Sequence, residues 1–304
     1  MINLQRNQNT VGYLLVVVAA ILWATLGILG KFLYRFDADP LTVVTLRASI
    51  AFITLATILA VVNRRLLKIH RRDIPFFAIY GLVGVTLNYA FYFYALNWTT
   101  VTTAVVLLYT YPTMVALLAA LFLGEQLNWI KALALSATFL GCYLVVQGYD
   151  PRAFQLNWHG ALFGLGAGAT AAVYSLFGKK ALQKYDSWTA VCYAFGFGAL
   201  FLVIWRTPQV ILSVNYPLPA WVAIFALAWF PTLLAYALFT AAMKYIEASK
   251  ASITATLEPV TAALLAYLFL GEVMESPQLV GVGLVFAGVV GLQFARPKND
   301  RAIA

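Results

Sequence analysis

Charge is scarce in this chain. Only 10% of its 304 residues are Asp, Glu, Lys or Arg, and 63% are hydrophobic, with a mean hydropathy of +0.85. Soluble domains carry about a quarter charged residues, so this composition excludes a water-soluble fold and points to a membrane protein. Cysteine and histidine are sparse too, at two each. Cys142 and Cys192 both fall in apolar runs, which reads as packing rather than a disulfide framework. His70 and His159 lie near the ends of such runs. No Ser-His pair, paired carboxylates or clustered metal ligands occur at depth, and no Gly-rich phosphate loop precedes a lysine. Intramembrane hydrolysis, metal chemistry and ATP coupling within the chain therefore have no residues to carry them. The expectation is no cofactor, no metal and no enzymatic activity.

The net charge of +9 does not indicate nucleic acid, because the bases form no basic domain. They sit in short breaks between apolar runs. A helix rising about 1.5 Å per residue needs about twenty apolar residues to cross a core about 30 Å thick. By that measure there are ten spans, with approximate limits 12–33, 41–62, 74–96, 100–123, 129–148, 158–179, 188–206, 219–243, 249–270 and 277–295. The first is too long for a cleaved signal and is read as retained. With both termini cytoplasmic, the inner segments hold Arg6, Arg64, Arg65, Lys68, Arg71, Arg72, Lys131, Lys179, Lys180, Lys184, Lys244, Lys250, Arg296, Lys298 and Arg301. The outer ones hold only Lys31, Arg35, Arg152 and Arg206. That bias sets the orientation in a plasma (cell inner) membrane.

The chain is also built twice. Pro112 to Glu125, PTMVALLAALFLGE, recurs as PVTAALLAYLFLGE from Pro259 to Glu272, with the proline, an ALLA core, LFL and Gly-Glu in register. The same offset relates Tyr89-Ala90 to Tyr236-Ala237 and Gly141 to Gly288, and nearly the same one relates Gly30-Lys31 to Gly178-Lys179. Each unit, 12–148 and 158–295, thus holds five spans. Five is odd, so the second unit enters the membrane inverted. The expected fold is all-α: ten transmembrane helices as two inverted-topology five-helix repeats around a central cavity, a construction typical of secondary transporters.

Within the spans stand one clear base, Arg47, and one clear acid, Glu258. A charge at depth costs at least about 2.5–3.5 kcal/mol and faces a partner or a cavity rather than lipid. Counting residues from the span ends leaves roughly 8 Å between the two along the membrane normal. Both side chains are long enough to reach one central cavity. They are read either as a structural ion pair (or an Arg47 that snorkels outward) or as contacts to substrate or proton. Pro112 and Pro259 lack an N–H and weaken the helix one turn back, at Leu108 and Ala255. The residues before them, Tyr111 and Glu258, give one pseudo-equivalent position a phenol in one half and a carboxylate in the other. Further substrate-binding candidates are Trp23, Thr25, Asn88, Tyr92, Tyr109, Tyr174 and Tyr236, with Ser175 and Thr240 beside them. Gly281, Gly288 and Gly291 in span 10 suggest close packing of spans 5 and 10 on a neighbouring helix, or in a homo-oligomer.

The span 2 arginine and the two Pro-to-Gly-Glu segments resemble the EamA family of the drug/metabolite transporter superfamily, over roughly Gly12 to Ala295. The resemblance implies a ten-helix inverted-repeat fold, with helices 5 and 10 set aside from a central cavity. It also implies movement of small metabolites, often amino acids or related compounds, usually outward. By likeness Trp23, Arg47 and Glu258-Pro259 fall at the family's helix 1 tryptophan, helix 2 arginine and helix 9 Glu-Pro. Ala24-Thr25 departs from the family, which often has glycine there, and Ala171 and Ala194 stand where the second half would repeat the tryptophan and arginine. One fixed cation and one fixed anion suit a zwitterion, with carboxylate towards Arg47 and ammonium towards Glu258, and Glu258 could instead carry a coupling proton. A lipophilic cation served by Glu258 and the aromatics is the alternative. A nucleotide sugar or organophosphate fits less well, since phosphate calls for more than one interior base.

Overall fold

A computed structural model of the chain describes residues 2–271 and 273–292, all helix, turn or loop with no strand among them. Eight helical stretches are long and apolar enough to cross a membrane: Gln8–Leu33, Pro40–Val62, Arg71–Trp98, Val101–Phe122, Trp158–Ala181, Ser187–Arg206, Leu218–Ala242 and Ala248–Phe269. Two shorter apolar helices, Trp129–Val145 and Ser276–Gly291, take the places of spans 5 and 10. Glu272, Asp300, Arg296, Lys298, Arg301 and the last residues assigned to span 10 lie outside the described residues.

The span starts follow from short polar side chains that accept otherwise unpaired N–H groups. Asp39 accepts from the Thr42 N–H, Asn128 from Lys131, Asn157 from Gly160 and Asp186 from Trp188. At the other end of spans 4 and 9, the glycines of the repeated Gly-Glu pair turn into the left-handed region, both at φ 69°. That conformation is nearly free only for glycine.

Spans 4 and 9 are interrupted at matching places. Helix Val101–Leu108 gives way at Tyr109–Thr110 to Tyr111–Phe122, and Ala248–Thr254 gives way at Ala255–Thr256 to Leu257–Leu270. Each break falls within one turn before its proline. The turns tighten, so Glu258 N–H donates to the Ala255 carbonyl at 3.0 Å and Thr110 N–H to Leu107 at 3.2 Å. Gly168 of span 6 lets the first break come close: a Cβ there would lie 3.2 and 3.3 Å from the Leu107 and Leu108 carbonyl oxygens.

A second matched irregularity has no counterpart in the sequence reading. Spans 3 and 8 each pass through a π-helical segment, Leu82–Leu87 and Ala228–Leu234, at the repeat offset. A π turn inserts one extra residue and rotates the helix beyond it. In span 8 Pro231 sits inside the segment, and Gly84 holds that position in span 3. Both segments end just ahead of the repeat-related tyrosines Tyr89 and Tyr236.

The packing follows the repeat. Span 3 lies against spans 6 and 7, span 8 against spans 1 and 2, and spans 4 and 9 cross at their broken segments. Spans 5 and 10 form the most extensive helix pair. Gly141 and Gly281 meet there so closely that a Cβ on either would lie 2.7 Å from the other's carbonyl oxygen, and a Cβ on Gly288 would lie 2.7 Å from Thr138. Those glycines are therefore taken up within the chain, while Gly283 and Gly291 face open space. Gly281→Val is expected to cost about 1–3 kcal/mol through overpacking. Thermal unfolding in detergent should show a lowered midpoint for Gly281→Val and little change for Gly283→Ala.

Candidate functional site

Arg47 lies two turns into span 2 and is 9% exposed. Its guanidinium turns inward, with Cζ 4.7 Å from the centre of the Tyr89 ring. It does not snorkel to the nearby acid at the start of its own helix. Asp39 is engaged by Arg206 at 2.9 Å and by Thr42. Among the described residues no carboxylate pairs with Arg47, and its Nε has no hydrogen-bond partner. A cation–π contact offsets part of a desolvated charge, about 2 kcal/mol or more. It leaves Nε without an acceptor.

Aromatic rings surround this group. Trp23 packs edge-on against Tyr236 at 5.1 Å and against Phe239 at 5.3 Å. Tyr236 in turn meets Tyr174 at 5.0 Å and Phe195 at 5.1 Å, and Tyr174 meets Tyr80 at 5.0 Å. The buried hydroxyls of Tyr80, Tyr174 and Thr240 face one another, and that of Tyr89 faces Tyr236, whereas Trp23 Nε1 is buried without an acceptor. Buried polar atoms are normally paired, so the indole N–H stands out. Tyr89 is an addition to the residues singled out from the sequence. Its signal was its repeat relation to Tyr236: the two π segments aim one tyrosine from each half at the same centre.

Glu258 occupies a separate place. It lies in the first turn of Leu257–Leu270, the outer helix of span 9, where a carboxylate suits the helix dipole. Its neighbours are Tyr109, whose hydroxyl faces the carboxyl, together with Tyr111 and Cys142. Tyr109 and Tyr111 are 6.3 Å apart between ring centres. The Tyr111 hydroxyl donates to the Ser252 carbonyl at 3.1 Å, joining the two broken spans. No ion pair links Arg47 to Glu258, so the structural-pair reading does not hold. Glu258 keeps partial exposure at depth. A carboxylate cannot afford that surface against lipid, so the exposed part faces the interior.

The remaining candidates are placed differently. Asn88 donates its amide to the Ala167 carbonyl at 2.9 Å and to Thr170 Oγ1 at 3.2 Å, tying span 3 to span 6. Thr25 donates to the Leu22 carbonyl of its own helix at 2.7 Å. Tyr92 is half-buried, with its ring 6.2 Å from that of Phe93. Pro112 is buried at the start of the inner helix of span 4, and Pro259 is buried in the first turn of its counterpart.

The model of the EamA-like transporter family matches twice, over residues 10–147 and 158–294. The chain belongs to that family. It is 30% identical over 275 residues to an uncharacterized transporter of Archaeoglobus fulgidus, covering 90% of this chain and 93% of the relative. It is 27% identical over 250 residues to a protein of Streptantibioticus cattleyicolor named a probable terminal-alkyne amino-acid exporter, with 80% and 82% covered. A solved crystal structure superposes with a TM-score of 0.79 at 19% identity, over 96% of this chain and 99% of that one, a likeness of fold. The EamA-like protein is thus a multi-pass membrane transporter. In it, Asn88→Ala should lower stability by about 0.6–1 kcal/mol, the worth of an interhelical hydrogen bond. Measured in reconstituted vesicles, its substrate profile should be unchanged.

Proposed function

We propose that the protein is a secondary transporter that exports amino acids or closely related zwitterions by alternating access. In this reading the units 12–148 and 158–295 supply the moving parts, both termini are cytoplasmic, and the protein resides in the plasma (cell inner) membrane. The observation that carries the proposal is Arg47: a buried guanidinium with a tyrosine face beneath it and no carboxylate beside it. A substrate carboxylate supplies the missing charge, accepting from Arg47 and from the unpaired Trp23 Nε1. Charge-assisted hydrogen bonds of this kind are the strong ones. The substrate ammonium turns towards Glu258 and the faces of Tyr109 and Tyr111.

The name of the Streptantibioticus relative supports the same substrate class. A second reading rests on the Glu258 site alone, where a carboxylate between two tyrosines suits an organic cation. Under that reading Arg47 would be dispensable for flux.

Two variants separate these roles. Arg47→Met should abolish amino-acid uptake into inside-out vesicles while leaving the protein monodisperse; undiminished uptake of every amino acid tested would sink the proposal. Glu258→Gln should remove dependence on a pH gradient while substrate exchange persists, if Glu258 carries the coupling proton. Loss of both exchange and net flux would assign it to substrate binding instead.

A further inference from the structure

The Gly-Glu pair that closes span 4 has a use that span termination does not require. Glu125 reaches across to the other repeat and accepts from the backbone N–H of Ala248 at 2.7 Å and of Ser249 at 3.2 Å. The Ser249 hydroxyl donates to it as well. The Glu125 side chain is 6% exposed, and beside it Lys131, at 2% exposed, lies 2.9 Å from Glu247 and 3.8 Å from Glu125. Lys250 stands 3.3 Å from the same Glu247 oxygen. Burial raises the Glu247 pKa, but Lys250 and Lys131 outweigh it and hold the carboxyl below its usual range, so the cluster stays charged at neutral pH. Next to it Lys179 of span 6 donates to the Met243 carbonyl at 2.5 Å and to Ile246 at 3.0 Å, at the end of span 8.

Spans 3, 4, 6 and 7 pack together, as do their repeat counterparts 1, 2, 8 and 9, and the two groups meet along spans 2 and 7 and at the broken segments of spans 4 and 9. Glu125 and Lys179 belong to the first group, and their partners at 242–250 to the second. The ties lie at the end bearing the basic loop 64–72, on the far side of Tyr174, Tyr80 and Thr240 from Arg47. The opposite end is closed by a different set: Arg206 of span 7 pairs with Asp39 at 2.9 Å and donates to Thr42 of span 2 at 2.8 Å. The residue related to Lys131 is Gln278, which donates to the Val145 carbonyl of its neighbour, span 5.

We infer that Glu125, Lys131 and Glu247, with Lys179, form an ionic latch that holds the two groups together at the cytoplasmic end and opens to admit substrate. The inference rests on the alternating-access reading of the proposed function. Breaking one partner of a buried pair leaves an uncompensated charge, so each single loss favours the open arrangement. At the other end Gln278 stands where Lys131 would repeat, and the half-exposed Arg206–Asp39 pair takes the place of the buried cluster, so the two closures differ in kind.

The test uses Thr240→Cys, buried behind the latch, in full-length protein with Cys142 and Cys192 replaced by Ala. Inside-out vesicles are treated with a membrane-impermeant thiol reagent. Adding Lys131→Met or Glu125→Gln should raise the labelling rate by about tenfold or more, as expected for a two-state shift. Labelling needs no substrate, so its outcome is independent of which ligand is carried. Unchanged labelling in both single variants would overturn the latch. So would an equal rise at Ala223→Cys, buried near the opposite end, which signals general loosening. Finally, Lys131→Cys with Glu247→Cys joined by a short bis-thiosulfonate should stop transport until reduced, and undiminished transport by the joined protein would also contradict the inference.

Discussion

A guanidinium at bilayer depth sets the terms for the rest of this structure. A charged side chain at depth carries a desolvation cost that only a partner or a polar interior offsets. The chain gives Arg47 the face of Tyr89, and among the described residues no carboxylate pairs with it. Asp39 is held by Arg206, and Glu258 faces Tyr109. The surrounding fold reads as machinery for tolerating that charge until an anion arrives. Rings from spans 1, 3, 6 and 8 pack around it, and the Trp23 N–H is left without an acceptor.

The backbone irregularities serve this centre. Two spans break and two pass through π segments, and each pair is related by the repeat. In hydrocarbon such departures survive only where protein or a polar interior covers them. Here the breaks face each other across spans 4 and 9, and the π segments turn Tyr89 and Tyr236 inwards. Duplication supplies the symmetric frame, and substitution makes it directional. Tyr111 against Glu258, Arg47 against Ala194 and Lys131 against Gln278 each put a charge in one half and none in the other. An asymmetric frame can tell the two ends of a zwitterion, and the two sides of a membrane, apart.

Much of the fold was legible because its signals are local or repetitive. Span length, charge placement and a proline's missing N–H are properties of short stretches, and the duplicated segment places them in register. The π segments were not legible, since choosing a partner five residues away depends on what the helix packs against. Gly84 and Pro231 at one repeat position were the trace they left. Asn88 shows the ambiguity of a polar residue inside a span: its amide serves as well between helices as towards a ligand. Tyr89 could have been found, because its repeat partner Tyr236 was already a candidate. Glu125 could not, because its partners lie more than a hundred residues further along the chain.

The central claim is that a ligand carboxylate completes the Arg47 site, and ligand chemistry tests it most directly. Equilibrium binding to the purified wild-type protein should be compared for an amino acid and for the amine formed by removing only its carboxylate. The account predicts that the amino acid binds and the amine loses at least about a hundredfold, the scale of a buried charged group left unpaired. Equal affinity for the two would contradict it.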